Sequence, residues 1–296
     1  MKLAERFVQE GLEVLERENL SRYTTLRVGG VADLLFFPRN YLELWRGLSL
    51  AEEMGLPVSF LGGGSNLVVR DGGLRGLVVS LRALRSFSLK GEILEAEAGV
   101  LVPELLSFCI KQGLSGLEFL AGVPATLGGA VVMNAGAFGQ EMKDLLLEVT
   151  VFQNGQFRTY QATELPFSYR NWGGPKGALV VKARLRLKPS STQEVASRSS
   201  TYLARRRETQ PLRFPTAGCI FKNPPQAPAG YLIEKVGLKG FVRGRAAISS
   251  RHANFIVNLG GARADEVLAL VEKAKEEVFK AFGIELSEEV MILGEA

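Results

Sequence analysis

The chain has 296 residues, 46% hydrophobic and 23% charged, and carries 36 Lys or Arg against 31 Asp or Glu for a formal net charge of +5. That composition excludes a disordered chain and leaves room for two or three packed units. No run of eighteen apolar residues occurs, so no membrane span is expected. The two cysteines, Cys109 and Cys219, form no CxxC pair and lie far from the only histidine, His252. Neither a disulfide framework nor a metal site follows, and the reducing cytosol is the expected compartment.

In chain order, MKLAERFVQEGLEVLEREN places Leu3, Phe7, Val8, Leu12 and Leu15 on one face of a helix, with charges that break any targeting-peptide pattern. Residues 31–37 read as a strand stopped by Pro38, and 41–55 as a helix closed by Gly55. PVSF, LVVR and GLVVSL give short strands, and a strand at 92–97 precedes a helix beginning near Pro103. Residues 145–152 read as a strand entering a hairpin through Asn154-Gly155, and 178–188 alternates apolar and basic residues as a half-buried strand does. Residues 189–196 read as a linker opening a helix that ends at ARRRETQP. Residues 264–283 form an amphipathic helix on Val267, Leu268, Val271 and Val278, and IELSEEVMIL reads as a final strand. The class is α+β.

Two glycine-rich segments stand out. In LGGGSN (Leu61, Gly62, Gly63, Gly64, Ser65, Asn66), the sixth position of a G-x-G-x-x-G match is Leu67, and strand-like sequence follows where a dinucleotide fingerprint needs a helix. What remains is a loop whose backbone N–H groups approach a pyrophosphate without a helix. The second segment, 122–139, spreads Gly122, Gly128, Gly129, Gly136 and Gly139 among Pro124, Ala125, Thr126 and Asn134. Each segment alone reads equally as tight turns or as a ligand cradle. Two in one chain, each with polar residues among the glycines, favour a flat dinucleotide ligand.

From Arg205 to Arg251 ten basic residues face two acids, Glu208 and Glu234, interleaved with Gly, Pro and Asn. A solvated face is the ordinary reading of such a block; phosphate binding is the functional one. Nucleic acid is disfavoured, because stacking aromatics are few and no nucleic-acid motif accompanies the block.

In order along nearly the whole chain, TTLRVGGVADL, LGGGSNLVV, GVPATLGGAVVMNAGAFG, FSYR, AGCIFKNP, GLKGFVRGRAAISSRHANFIVN and IELSEEV resemble the UDP-N-acetylenolpyruvoylglucosamine reductase family of peptidoglycan synthesis. The resemblance implies a two-lobed FAD-binding region of the vanillyl-alcohol oxidase type (1–82 and 83–189) and a carboxyl-terminal α+β substrate domain (196–296). It implies noncovalent FAD reduced by NADPH, and transfer of hydride to the enolpyruvyl C3 of a UDP-sugar with protonation at C2. The implied protein is cytoplasmic, a monomer or weak oligomer, with no nucleic-acid or membrane partner. The family's site positions fall here on Arg170 (substrate carboxylate and enolate), Cys219 (proton donor) and Glu289 (assistance at the carboxylate). Tyr169, Lys222 and Asn223 fall on substrate-contacting positions.

Without the resemblance, Glu288 would be as good a candidate as Glu289. The family's usual serine in AGSxFKNP is Cys219 here; a thiol with a pKa of about 8.5 is mostly protonated at neutral pH and is a far stronger acid than an alcohol. Cys109, in apolar LLSFCI, reads as core, and His252, distant from the glycine segments, reads as structural or as a substrate-domain residue. The absence of a tyrosine-bearing insertion between Arg170 and Cys219 resembles the family's compact branch. Another flavin oxidase or dehydrogenase of the same fold, acting on an alcohol or sugar, is the alternative.

Overall fold

The computed structural model describes residues 3–296, and its contacts gather them into two compact units. One comprises the amino-terminal stretch to Leu15, Leu34–Gly63 and Gly76–Arg205; the other comprises Glu16–Asp33, Gly64–Arg75 and Arg206–Ala296. The chain thus passes between units several times, the last time within the helix Thr192–Thr209.

The helices are α1 (Leu3–Gln9), α2 (Tyr41–Glu53), α3 (Val102–Gln112), α4 (Leu127–Val132), α5 (Thr192–Thr209), α6 (Ala229–Lys235) and α7 (Ala264–Phe282). The expected amino-terminal helix is shorter than its apolar spacing indicates. Gly11 adopts a left-handed φ of 73°, and Val14–Asn19 continues as a strand, so Leu12 is buried from a loop while Val8 and Leu15 are exposed. Asn40 caps α2 by accepting from the Glu43 N–H at 2.8 Å, and the Glu43 carboxylate accepts from the Arg39 N–H in return.

In the first unit a five-stranded antiparallel sheet runs in the order Gln156–Gln161, Leu146–Gln153, Leu179–Arg186, Ile93–Glu97, Phe87–Lys90. The Asn154-Gly155 hairpin forms as expected: Gln153 pairs with Gln156, and both turn residues are left-handed, which suits the twist of the flanking strands. Val58–Leu61 pairs parallel with Leu74–Ser80, which opposes Leu61 to Ser80. One continuous apolar core, including Phe36, Phe119, Val149 and Leu185, fills this unit.

In the second unit a four-stranded sheet runs in the order Thr216–Cys219, Phe255–Asn258, Ala246–Ile248, Val242–Arg243. The apolar face of α7 (Val267, Leu270, Val271, Ala274, Val278) packs into a separate core with Ile220, Phe221 and Ile256. Only Met291–Leu293 of the expected carboxyl-terminal strand is regular, pairing parallel with Leu67–Val69.

Gly64 is constrained by this unit whatever ligand binds nearby. Its φ is 67°, and a Cβ there would clash with the Tyr23 carbonyl oxygen. Gly64→Ala is expected to destabilise the protein by about 2–4 kcal/mol through left-handed strain and overpacking. Urea unfolding of flavin-free protein checks this; an unchanged midpoint would leave Gly64 only a ligand-facing role.

Candidate active site

The two glycine segments meet within the first unit. A Cβ on Gly62 would lie 3.0 Å from Thr126 Oγ1, and one on Gly63 would lie 2.9 Å from the Pro124 carbonyl oxygen. The loop leaving Val58–Leu61 does lead to a strand, Leu67–Val69, so the non-Rossmann reading of LGGGSN holds. The second segment differs from expectation because it contains a helix. Thr126, buried, caps α4 by accepting from the Gly129 N–H at 3.4 Å, while Leu127 and Gly128 donate to the carbonyls of Val100 and Ala98.

Near this cradle Ser80 is buried, and its hydroxyl finds no hydrogen-bond partner among the described residues. Arg82 Nη2 donates to the Gly63 carbonyl at 3.1 Å. An orphaned hydroxyl, an arginine and two facing glycine backbones fit the diphosphate of a dinucleotide. Ser80 and Arg82 were not singled out in the sequence; their signal was the S-L-R that closes the strand paired with Leu61.

The other proposed cofactor positions differ in what surrounds them. Leu61, Ala125 and Gly128 are buried, while Gly122 and Pro124 are exposed. Asn134 is buried, and its side chain is committed inside the unit: Nδ2 donates to Glu141 (3.0 Å) and to the Ser168 carbonyl (3.1 Å), and Oδ1 accepts from the Lys143 N–H.

The contact from Asn134 to Ser168 organises FSYR. Ser168 and Asn171 exchange backbone hydrogen bonds at 2.8 and 3.1 Å, which leaves Tyr169 and Arg170 at the tip of a tight turn. Arg170 is left-handed there, with φ 57°, a conformation that is costly for a long side chain and that clusters at functional sites. Its Nη2 donates to the Gly136 carbonyl at 3.1 Å, and its guanidinium lies 4.9 Å from the centre of the exposed Tyr169 ring. The Glu141 carboxyl is held below its ordinary value, first by its bond to Lys143 and also by Asn134 and the Arg170 charge.

In the second unit, strand Thr216–Cys219 carries a bulge. Thr216 pairs with Val257 and Cys219 with Phe255, so three steps on one strand oppose two on the other, and Gly218 takes φ 81°. A bulge re-aims the residue that follows it, which here is half-buried Cys219. Beyond it, Ile220 donates to the Asn254 carbonyl, and buried Asn254 brackets Phe221, accepting from its N–H at 2.9 Å and donating to its carbonyl at 2.8 Å.

The carboxyl-terminal segment docks on the same stretch. Glu289 donates from its backbone to the Ile220 carbonyl at 2.7 Å, and Lys222 donates to the Ser287 carbonyl. Asn66 clasps this segment from the other side: its Nδ2 donates to the Glu289 carbonyl at 3.0 Å, and its own carbonyl accepts from the Met291 N–H. Cys219 and Glu289 are thereby held on adjoining segments. Asn223, exposed, accepts from the Ala229 N–H at the start of α6.

The two neighbouring glutamates are told apart by Lys275, whose Nζ lies 2.9 Å from Glu288. Burial acts to raise the Glu288 pKa, but the bond and charge of Lys275 outweigh it and leave the carboxyl below its ordinary value. The depressed value stabilises the fold above about pH 4.5, and that contribution is lost as pH falls through the folded-state pKa. The advantage of the native chain over Glu288→Gln in urea midpoint should therefore shrink steadily below pH 4.5; a constant difference down to pH 3 would contradict the pairing.

Cys109 is fully buried, and burial, together with the nearby Glu118 charge, pushes its thiol up to about 12, so it belongs to the core as expected. Burial, then the Lys239 charge, lowers the His252 pKa, and Nδ1 accepts from the Asn254 N–H. Among the described residues no His, Cys, Asp and Glu cluster could hold a metal, and no helix is long and apolar enough to cross a membrane.

Comparison with known proteins agrees with this architecture. A family model described as the UDP-N-acetylenolpyruvoylglucosamine reductase C-terminal domain matches residues 210–293, and one described as an FAD binding domain matches 32–158. A UDP-N-acetylenolpyruvoylglucosamine reductase from Moorella thermoacetica is 46% identical over 285 residues, covering 96% of this chain and 94% of the relative. One from Syntrophus aciditrophicus is 45% identical, covering 98% and 96%. The crystal structure of the reductase from Thermus caldophilus superposes with a TM-score of 0.84 at 41% identity, covering 96% of this chain and 99% of that one. The α+β FAD-binding fold with a carboxyl-terminal α+β domain is thus the one expected, and the chain belongs to the UDP-N-acetylenolpyruvoylglucosamine reductase family of FAD-dependent oxidoreductases.

Proposed function

We propose that this chain reduces UDP-N-acetylglucosamine enolpyruvate to UDP-N-acetylmuramate in the cytoplasm, as a step of peptidoglycan precursor synthesis, with NADPH as reductant and noncovalent FAD. FAD-binding lobes at 1–82 and 83–189 and a substrate domain at 196–296 divide the work. The observation that carries the reading is the docking of Ser287–Val290 on Ile220–Lys222, which holds the predicted proton donor Cys219 and the predicted carboxylate partner Glu289 on adjoining segments.

When bound, FAD would supply hydride-transfer chemistry between NADPH and C3 of the enolpyruvyl group. The chain's residues manage charge and proton. The Arg170 guanidinium binds the substrate carboxylate and stabilises the negative charge that grows as C3 gains hydride, for which a planar fork of donors suits an enolate. Cys219 then gives its thiol proton to C2, forming the C–H bond of the lactyl ether and leaving a thiolate that solvent reprotonates. Glu289 assists at the carboxylate end, and Tyr169, Lys222 and Asn223 contact the UDP-sugar, with the lysine matched to its diphosphate. The basic residues from Arg205 to Arg251 favour that anionic substrate over a neutral alcohol or sugar.

The test is NADPH oxidation by flavin-loaded protein with and without UDP-N-acetylglucosamine enolpyruvate, with the product mass measured. Oxidation dependent on the enolpyruvyl substrate, with a gain of two hydrogens, is expected; its absence would overturn the assignment.

A further inference from the structure

The turn that receives Arg170 is built from an unfavourable residue. Gly136–Ala137 and Gln140–Glu141 form a two-stranded ribbon in which Ala137 pairs with Gln140, so Phe138 and Gly139 alone make the loop. Both are left-handed, with φ 53° and 78°. Such two-residue loops favour Asn-Gly, because the first position puts any Cβ under strain and asparagine tolerates it best. A phenylalanine there runs against the local preference, and its ring accounts for the exception.

The Phe138 ring lies 4.2 Å from that of Tyr202, centroid to centroid, with the planes only 6° from parallel, and the Arg205 guanidinium lies 5.9 Å from the Phe138 centroid. Tyr202 and Arg205 stand on α5. The tip of the ribbon is therefore pinned from outside by an aromatic stack with a cation nearby. At its base the ribbon meets Arg170. The Gly136 carbonyl accepts from Arg170 Nη2, a Cβ at Gly136 would sit 3.2 Å from Arg170 Nη1, and Gly136 pairs with Glu141, whose carboxylate Asn134 holds.

We infer that Phe138 is a positioning residue: its stack on Tyr202 fixes the Gly136–Glu141 ribbon, and through the Gly136 carbonyl it sets where the Arg170 guanidinium sits. This rests on the proposed role of Arg170 at the substrate carboxylate. A group displaced by a fraction of an ångström from a reacting carboxylate loses much of its effect, so a ring that never touches substrate controls the rate through a second residue.

The experiment compares Phe138→Asn, which suits the turn but removes the stack, with Phe138→Tyr, which keeps a stacking ring, and with Tyr202→Leu, which removes the other ring. Each is made in the native chain and in an Arg170→Lys background. Measurements are kcat/KM for the enolpyruvyl substrate, FAD affinity by fluorescence, and a crystal structure of flavin-loaded Phe138→Asn. Phe138→Asn and Tyr202→Leu are expected to lower kcat/KM about tenfold with FAD affinity unchanged. Phe138→Tyr should retain activity, and the Phe138→Asn effect should shrink below about twofold once Arg170 is lysine, because coupled residues are not additive.

Undiminished activity in both ring-removing variants, or a full tenfold loss persisting in the Arg170→Lys background, would overturn the inference. If the native chain itself does not turn over this substrate, the functional assignment fails separately. The crystal structure then still decides the positioning claim, which an unmoved Arg170 guanidinium on the Gly136 carbonyl would refute.

Discussion

Replacing Arg170 by alanine or by glycine is expected to lower kcat/KM for the enolpyruvyl substrate by about 10²–10³-fold, the scale on which loss of one donor to a developing oxyanion is felt. The two variants should then part company on stability. Both lose the hydrogen bond to the Gly136 carbonyl and the contact with Tyr169. Only alanine keeps a Cβ at φ 57°. Relief of left-handed strain is worth about 1–2 kcal/mol to glycine, and its greater freedom in the unfolded chain takes back about 0.5–1 kcal/mol. The glycine variant should be the more stable of the pair by up to about 1.5 kcal/mol while being no more active. Urea unfolding beside steady-state kinetics checks both halves; an alanine variant as stable as the glycine one would show that the turn carries no strain.

That strain was not legible in FSYR. The four residues carry no glycine or asparagine at the left-handed position, and the turn is held in part by Asn134, thirty-odd residues earlier, which donates to the Ser168 carbonyl. The same limit applies to α4. Six residues starting Leu-Gly-Gly-Ala have poor helix propensity, and what makes them helical is the Thr126 cap and the backbone donation of Leu127 and Gly128 to Val100 and Ala98. Features whose cause is local were legible. The Asn154-Gly155 hairpin, the strand after LGGGSN and the amphipathic α7 all follow from residues within a few positions. At the amino terminus, periodicity misled, because Leu12 and Leu15 continue a helical spacing across Gly11, where the backbone turns left-handed and a strand begins. The site residues themselves were legible mainly through family motifs. What the structure adds is which neighbours hold them: Asn254 on the segment after Cys219, Asn66 on the Glu289 segment, and Gly136 beneath Arg170.

Cys219→Ala is expected to leave reduction of bound FAD by NADPH at the native rate and to slow its reoxidation by the enolpyruvyl substrate by about 10²–10⁴-fold, the contribution typical of a positioned general acid. The two half-reactions separate the thiol's chemistry from any effect on flavin binding, since a misfolded or flavin-poor variant would fail in both. Cys219→Ser should recover most of the lost rate. The Gly218 bulge fixes the backbone from which the side chain leaves, and a hydroxyl occupies the same direction as the thiol with a shorter reach and a stronger hydrogen bond. Serine does not ionise in the accessible range and a thiol does, so any alkaline decline of reoxidation that stems from ionisation at residue 219 should be absent in the serine variant. Rapid-mixing absorbance of the flavin over a pH series measures all three outcomes. A Cys219→Ala variant that reoxidises at the native rate would remove Cys219 as the donor. A serine variant with the same alkaline limb as the native chain would mean that the titrating group lies elsewhere.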